Sequence, residues 1–465
     1  MNILIDGQTL ATPELNRGIG IYFKNVLNNM VKQRFEHVWF IAVSDLSLLK
    51  ELDPWVSRNI VPIVNSIFSP GTDYQRSELY TSKVNEIIET NSIDVFWIPN
   101  PLMVNVIFPS DRIKCRVFAT IYDLIPAVMP VKDWPSNVKK EYHRRLAYLK
   151  DYRVTPFFIS QATKVDYEKY VGENMGGGVT FLAADHRVFY NPKQDLSKDN
   201  IIVFTGGFDY RKNILGAIEA FSALLKKHGE DQFIQSTKLY IVCKYNVADK
   251  QKLVLKLRKE DIEDKVIFTG YISDEELANL YSKAMVFFFP SLYEGFGLPI
   301  LEAMLGGAFV LSADNSSLPE VCGNYAMLCN ALDSSNMADK LFEALYASLH
   351  ESVEEREQRK NYALSYSWEK TATDTLHIIE AKEKWELKNK KRIAIVTPWP
   401  EQETGIANYV YKIVLYLSKW FDIDIFVDDS QNEKVKWKEF KYGNLYKIDL
   451  LDKMYSGYDK IVYQI

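Results

Sequence analysis

The chain has 465 residues, 47% apolar and 25% charged. That is room for roughly three domains, in the proportions of a soluble globular protein. A net charge of −5 gives no global basic field for nucleic acid, and the opening MNILIDGQTL starts a strand and lacks the shape of a signal peptide. No apolar run approaches the roughly 18 residues of a membrane span. Cys115, Cys243, Cys322 and Cys329 form no CxxC, and the six histidines are scattered, so no metal site is expected and the thiols read as buried and reduced, as in a cytoplasm.

In chain order, Ile3–Asp6 is a short strand, and helical periodicity from Ile19 places Phe23, Val26, Leu27 and Met30 on one side. Arg17-Gly18-Ile19-Gly20 at the mouth of that helix reads either as backbone N–H groups and a cation for a diphosphate or as an ordinary glycine turn. A dinucleotide fingerprint fails, because Phe23 stands where its third glycine belongs. Strand-like runs recur at Val38–Val43, Val95–Ile98, Val117–Ile121 and Phe157–Ser160 between helical stretches, the alternation of a parallel α/β sheet. Asp123 ends one of them at its carboxyl edge, as a functional carboxylate or a turn Asx. Lys132 to Arg153 is a basic amphipathic helix, suited either to an anionic membrane surface or to a solvated face. The polar stretch Asn191 to Asn200 is expected to link two sheets. After strand Ile201–Thr205, Arg211 and Lys212 flank the start of a helix from Asn213, an arrangement that clamps a diphosphate or lies on the surface. Further strands are read at Leu239–Cys243 and Val266–Thr269, with Tyr271 in the turn after the second either a stacking or a core tyrosine.

The densest stretch runs from Phe287 to Asp314. An apolar strand, Met285–Phe289, leads through a turn with two glycines into a helix with Pro299 at its first position, and Phe309–Leu311 starts the next strand. Ligands of open α/β sheets bind at such a strand's carboxyl end. Glu294 and Glu302 bracket the turn with seven residues between them. The string resembles the E-x7-E signature of retaining GT-B glycosyltransferases of family four (glycosyl transferases group 1), on Glu294, Gly295, Phe296, Gly297, Leu298 and Glu302. The resemblance implies that Glu294 lies against the donor sugar, that Glu302 holds the ribose hydroxyls, and that the backbone of 295–298 meets sugar and diphosphate. It further implies a phosphate-binding role for Arg211 and Lys212, a base contact near Tyr271, and a glycine loop at Gly18 and Gly20. Where much of the family reads His-Asp-Leu, this chain has Tyr122-Asp123-Leu124, leaving Asp123 to orient an acceptor hydroxyl.

Helices are expected at Ser335–Leu349, Glu351–Tyr366 and Trp368–Leu387, and the resemblance implies that the last crosses back to brace the first domain. Beyond them RIAIVTPWP (from Arg392), TGIANYVYKIVLYLSKW (from Thr404) and YDKIVYQI repeat the order of the opening elements. The expected architecture is therefore two Rossmann-like domains, 1–190 on the acceptor side and 200–350 on the nucleotide-sugar side. Closing helices at 351–388 follow, then a truncated start of a second N-domain at 391–465. The expected activity is metal-independent, cofactor-free transfer of a hexose, mannose from GDP-mannose by preference. The acceptor would be a surface polysaccharide or lipid-linked saccharide, at the cytoplasmic side of a bacterial membrane touched through the helix of Lys139 to Arg153. The alternatives are a UDP-sugar donor and a catalytically silent scaffold for a partner enzyme.

Overall fold

Short apolar runs, β-branched and aromatic, are buried on both faces only when helices cover both sides of a parallel sheet. The computed structural model builds three sheets. It describes residues 1–129, 134–150, 154–172, 176–192, 197–381, 392–397, 413–414, 417, 421–427, 444–448, 451 and 458–463. The chain divides into two compact units: Met1–Thr72, Ile93–Ile107 and Val117–Ile379 form the first, and Asp73–Ser92, Phe108–Arg116 and Glu380–Ile465 the second.

The first unit holds two sheets. One is ordered β3-β2-β1-β4-β5-β6-β7, from β1 (Asn2–Asp6), β2 (Val38–Val43), β3 (Val61–Val64), β4 (Val95–Ile98), β5 (Arg116–Ile121), β6 (Val154–Phe158) and β7 (Gly178–Val179). The other is β10-β9-β8-β11-β12-β13, from β8 (Asp199–Thr205), β9 (Lys238–Val242), β10 (Val266–Phe268), β11 (Ala284–Phe289), β12 (Phe309–Ala313) and β13 (Met327–Cys329). Helices used below are α1 (Gly18–Gln33), α2 (Ser136–Leu149), α3 (Gln161–Tyr170), α4 (Ile214–Lys227), α5 (Leu298–Gly306), α6 (Val353–Leu364) and α7 (Trp368–Glu380).

Sequence periodicity translates directly into packing on α1, where Phe23, Val26, Leu27 and Met30 are all fully buried. The closing helix α7 packs on α1. Trp368 of α7 meets Tyr22 of α1 edge-on at 6.1 Å, and Gln33 Nε2 donates to the Glu369 carbonyl at 2.9 Å; residues 382–391, with the expected end at Leu387, lie outside the described residues. All four cysteines are buried.

Three readings change. The strand expected at Phe157–Ser160 starts earlier, at Val154, and Ser160 instead caps α3, its Oγ accepting from the Thr163 N–H at 3.0 Å. Pro156 is tolerated inside β6 because β7 pairs only with Phe157 and Phe158, so the missing N–H breaks no ladder bond on that side. Helix α5 begins at Leu298, with Gly297 as its left-handed cap, which puts Pro299 one position in. The basic helix α2 spends its arginines internally: Glu141 accepts from both Arg144 and Arg145 at 2.7 Å, and the fully buried Arg145 also donates to the carbonyls of Met103 (2.5 Å) and Val106 (2.7 Å). A buried guanidinium is affordable only when its donors are matched in this way. Lys139, Lys140 and Lys150 remain exposed, while Lys132 and Arg153 lie outside the described residues.

The second unit contains the third sheet, β16-β15-β14-β17, from β14 (Arg392–Val396), β15 (Asp422–Val427), β16 (Asn444–Lys447) and β17 (Lys460–Tyr463). Its order is that of β3-β2-β1-β4, strand for strand, and all its pairs are parallel. A reciprocal clasp recurs as well. The Asn2 N–H donates to the Asp94 carboxylate (2.8 Å) and the Asp94 N–H to the Asn2 carbonyl (2.8 Å); Arg392 and Asp459 repeat this at 2.6 and 2.8 Å. The register is equivalent too, Ile3 opposite Val95 and Ile393 opposite Lys460. Most of the repeat's Thr404–Trp420 stretch lies outside the described residues.

Candidate active site

β11 is buried along its whole length and delivers the chain at Pro290 to the carboxyl edge of the second sheet. There the turn is held by hydroxyls. The Glu294 carboxylate accepts from Lys212 Nζ and from Ser291 Oγ, each at 2.6 Å; the Glu294 N–H donates to Ser316 Oγ at 3.0 Å; and Ser317 Oγ donates to the carbonyls of Glu294 (3.0 Å) and Phe296 (2.8 Å). Two glycines are obligatory for different reasons. A Cβ on Gly295 would lie 2.3 Å from the Tyr122 carbonyl oxygen of the other sheet, whereas Gly297 needs its φ of +107°. The Phe296 side chain points into the core against Phe181 and Tyr366, each ring 6.2 Å away, leaving its backbone to the turn.

No side chain caps α5; Pro299 carries no N–H and the Ile300 N–H donates to the Gly297 carbonyl at 3.0 Å, which leaves the Leu298 N–H, of the first three residues, to an anion. Its other end is closed by cations: Lys198 Nζ donates to the Gly307 carbonyl at 2.8 Å and Arg359 Nη2 to the same oxygen at 3.3 Å. Burial pulls the Lys198 ammonium down to about 7.

Arg211 and Lys212 sit in the turn after β8, beside Glu294. Each has a carboxylate partner, Asp209 for Arg211 and Glu294 for Lys212. The turn is tied to the Glu294 loop through the Arg211 carbonyl, which accepts from the Leu292 N–H (2.6 Å) and Ser291 Oγ (2.9 Å). Asn213, left-handed at φ 57°, starts α4, and its Nδ2 donates to the Pro290 (3.1 Å) and Ala331 (2.9 Å) carbonyls. Gly216 leaves the space for that amide, since a Cβ there would fall 2.4 Å from Asn213 Oδ1.

The first sheet meets this turn with its own carboxyl edge. Asp123 Oδ1 accepts from the Ile125 N–H at 2.9 Å, the turn geometry of an Asx, and burial pushes its carboxyl up, with Arg211 opposing and Glu294 and Asp166 adding to the rise. Tyr122, where the resemblance would have a histidine, is a core side chain: its ring is edge-on to Tyr22 at 5.3 Å and its hydroxyl donates to the Ile19 carbonyl at 3.4 Å. That contact brings the N-terminus of α1 to the same edge. Gly18 there has open space around its Cα, whereas Gly20 is a packing glycine whose Cβ would lie 2.2 Å from the Leu15 carbonyl oxygen. Arg17 pairs with Glu14 at 2.9 Å.

Three contacts that sequence reasoning missed join the sheets. Glu320 accepts from the first N–H groups of α3, at Gln161 and Ala162, each at 2.9 Å; Thr163 Oγ1 donates to the Gly295 carbonyl at 3.3 Å; and the Tyr293 hydroxyl donates to the Asp166 carboxylate. None has a local signal, since the partners are more than 100 residues apart.

Glu302 lies in the second turn of α5. Burial, followed by the charge of Asp274, pushes its carboxyl up to about 8. Tyr271 is 75% exposed, so it is no core residue, and Lys244 Nζ lies 5.3 Å from its ring centre. Leu298, the first residue of α5, is half-buried. No group of metal-ligating side chains occurs among the described residues.

Residues 189–365 match the family model described as glycosyl transferases group 1. Among curated proteins, the chain is 26% identical over 380 residues to the serotype-specific mannosyltransferase WbdA of Escherichia coli, covering 74% of this chain and 44% of that protein. It is 29% identical over 187 residues to the O-antigen chain mannosyltransferase B of Escherichia coli, covering 40% and 47%. The chain thus spans less than half the length of these relatives. Among solved structures, the sucrose-phosphate synthase of Thermosynechococcus elongatus superposes with a TM-score of 0.58 at 17% identity, over 81% of this chain and 98% of that one. WaaG, a glycosyltransferase involved in lipopolysaccharide biosynthesis, gives 0.57 at 15% over 82% and 100%. These likenesses establish the fold as GT-B.

Proposed function

We propose, from the premise that residues 189–365 belong to the glycosyl transferases group 1 family, that the protein is a retaining hexosyltransferase. It moves a hexose, in our reading mannose from GDP-mannose, to a growing surface polysaccharide or lipid-linked saccharide. The observation that carries this is the Lys212–Glu294 pair, at 2.6 Å, beside Arg211 and the uncapped N-terminus of α5. The mannose preference draws on relatives named as mannosyltransferases.

A diphosphate at the α5 N-terminus competes with Asp209 and Glu294 for Arg211 and Lys212. Its gain is two charge-assisted contacts, and the exchange frees Glu294 to meet the sugar. As the bond between the anomeric carbon and the diphosphate oxygen breaks, charge grows on that oxygen and the two cations stabilise it. The acceptor hydroxyl, oriented by Asp123, attacks from the same face and gives its proton to the departing phosphate oxygen. Glu302 accepts from the ribose hydroxyls, Tyr271 covers the base, the amides of 295–298 and the Gly18–Gly20 end of α1 face the diphosphate and sugar, and no metal or cofactor is assigned a step. Peripheral contact with the cytoplasmic face of a membrane would rest on Lys139, Lys140 and Lys150 of α2. Residues 391–465 are read as the start of a second N-domain, supported by the repeated strand order and clasp.

The test is donor consumption with GDP-mannose, UDP-glucose and UDP-galactose, each with and without a mannose-containing acceptor. GDP-mannose turnover should depend on acceptor, and Lys212→Met should lower kcat by about 10²–10³-fold, as for loss of one charge-stabilising donor. Turnover of a UDP-sugar alone would overturn the donor assignment, and no turnover of any donor would favour a silent scaffold.

A further inference from the structure

We propose that the cavity between residues 181–182 and the junction of α6 with α7 is a second saccharide site, holding one hexopyranose unit. It measures about 140 Å³, well under the ~300–1,000 Å³ of sites for larger ligands, so it suits a single ring rather than a nucleotide sugar. Its lining combines two kinds of surface. Phe181, 37% exposed, and Tyr366 stand 5.8 Å apart at 65°, giving an apolar corner. Tyr362, Thr371, Lys370 and Asp374 supply the polar side.

The walls are fixed. Thr371 Oγ1 donates to the Phe181 carbonyl at 2.5 Å, His186 Nε2 is 2.8 Å from the Tyr366 carbonyl oxygen, and the Tyr362 and Tyr366 hydroxyls are 3.0 Å apart. Lys370 and Asp374 lie one helical turn apart, a spacing at which opposite charges commonly pair. Here neither side chain has an ion-pair or hydrogen-bond partner among the described residues, although both line the cavity. An ammonium only donates and a carboxylate only accepts. An anion would leave Asp374 unmatched and a cation would leave Lys370 unmatched. A neutral ring rimmed with hydroxyls, each both donor and acceptor, satisfies both and lays its C–H face on the aromatic corner. Phe181 and Tyr366 also flank Phe296, which connects the cavity wall to the Glu294 turn. Assigning the unit to an acceptor chain rests on the transferase reading; the hexose site itself does not.

The experiment is saturation-transfer NMR on the full chain with saturating GDP present, using methyl α-mannopyranoside and an α-linked mannotriose as probes. Signal from at least one probe should persist under GDP and fall at least about fivefold in Lys370→Met and in Asp374→Asn, each loss being that of a charged hydrogen-bond partner. Melting temperature and GDP binding should stay at wild-type values in both variants, which separates loss of the site from loss of fold. Binding of the trisaccharide alone would identify a unit of a chain, and equal binding of the monosaccharide a free sugar. Absence of signal from both probes, or signal undiminished in both variants, would overturn the proposal. Failure of the transferase reading would appear separately, as absent donor turnover with this signal intact.

Discussion

Glu302 offers the sharpest test of the donor site. Burial pushes its carboxyl up to about 8, so near neutral pH it is mostly protonated. Only the ionised form accepts from two ribose hydroxyls with both oxygens, so nucleotide binding must expel the proton. At pH 7, one unit below that value, about one molecule in eleven is ready, and GDP should bind about tenfold more weakly than at pH 9, a difference of about 1.4 kcal/mol. The nucleotide phosphate titrates near 6, below this window. Glu302→Gln has no proton to lose, so its affinity, weaker throughout, should be flat from pH 7 to 9. The same shift fixes the sign of a stability effect. A folded pKa above the unfolded one gives a contribution fully present below the ordinary 4.5 and lost as pH rises through about 8. Its ceiling is about 5 kcal/mol at about 1.36 kcal/mol per unit, and water at the half-buried side chain reduces it. The variant should therefore gain melting temperature over wild type at pH 8.5 and match it near pH 4.5. Calorimetry of GDP binding in buffers of different ionisation enthalpy counts the expelled protons. Equal affinity at pH 7 and 9 with no proton release, or the same slope in the variant, would refute the reasoning.

Two further outcomes follow from the geometry. Gly295→Ala puts a methyl 2.3 Å from the Tyr122 carbonyl oxygen, backbone that yields only if the two sheets part; overpacking of this kind costs about 1–3 kcal/mol. GDP affinity should survive while acceptor-dependent turnover collapses, and an unchanged kcat would contradict the close approach. Asn213→Ala removes a donor from two carbonyls and places alanine at φ 57°, for a combined loss of about 2–4 kcal/mol. Asn213→Gly relieves the backbone and should recover about half of that in denaturant midpoints.

The strand, the glycine turn, Glu294 and Glu302 were legible because a strand–loop–helix unit is written within 30 consecutive residues, where spacing alone determines what shares an edge. The Arg211-Lys212 turn and the α1 core stripe were legible for the same reason. The repeated opening elements also showed in the sequence, yet their strand order and the Asn2–Asp94 and Arg392–Asp459 clasps are pairings across more than 60 residues, which spacing does not encode. That Arg145 of α2 faces inward was not legible, because its burial depends on carbonyls some 40 residues away. The contacts of Gly295, Thr163 and Glu320 across the sheets, and the raised carboxyl of Glu302, belong to the tertiary structure alone. Non-local packing decides which charges lose water and which backbones touch, and a single sequence names those residues without saying what they face.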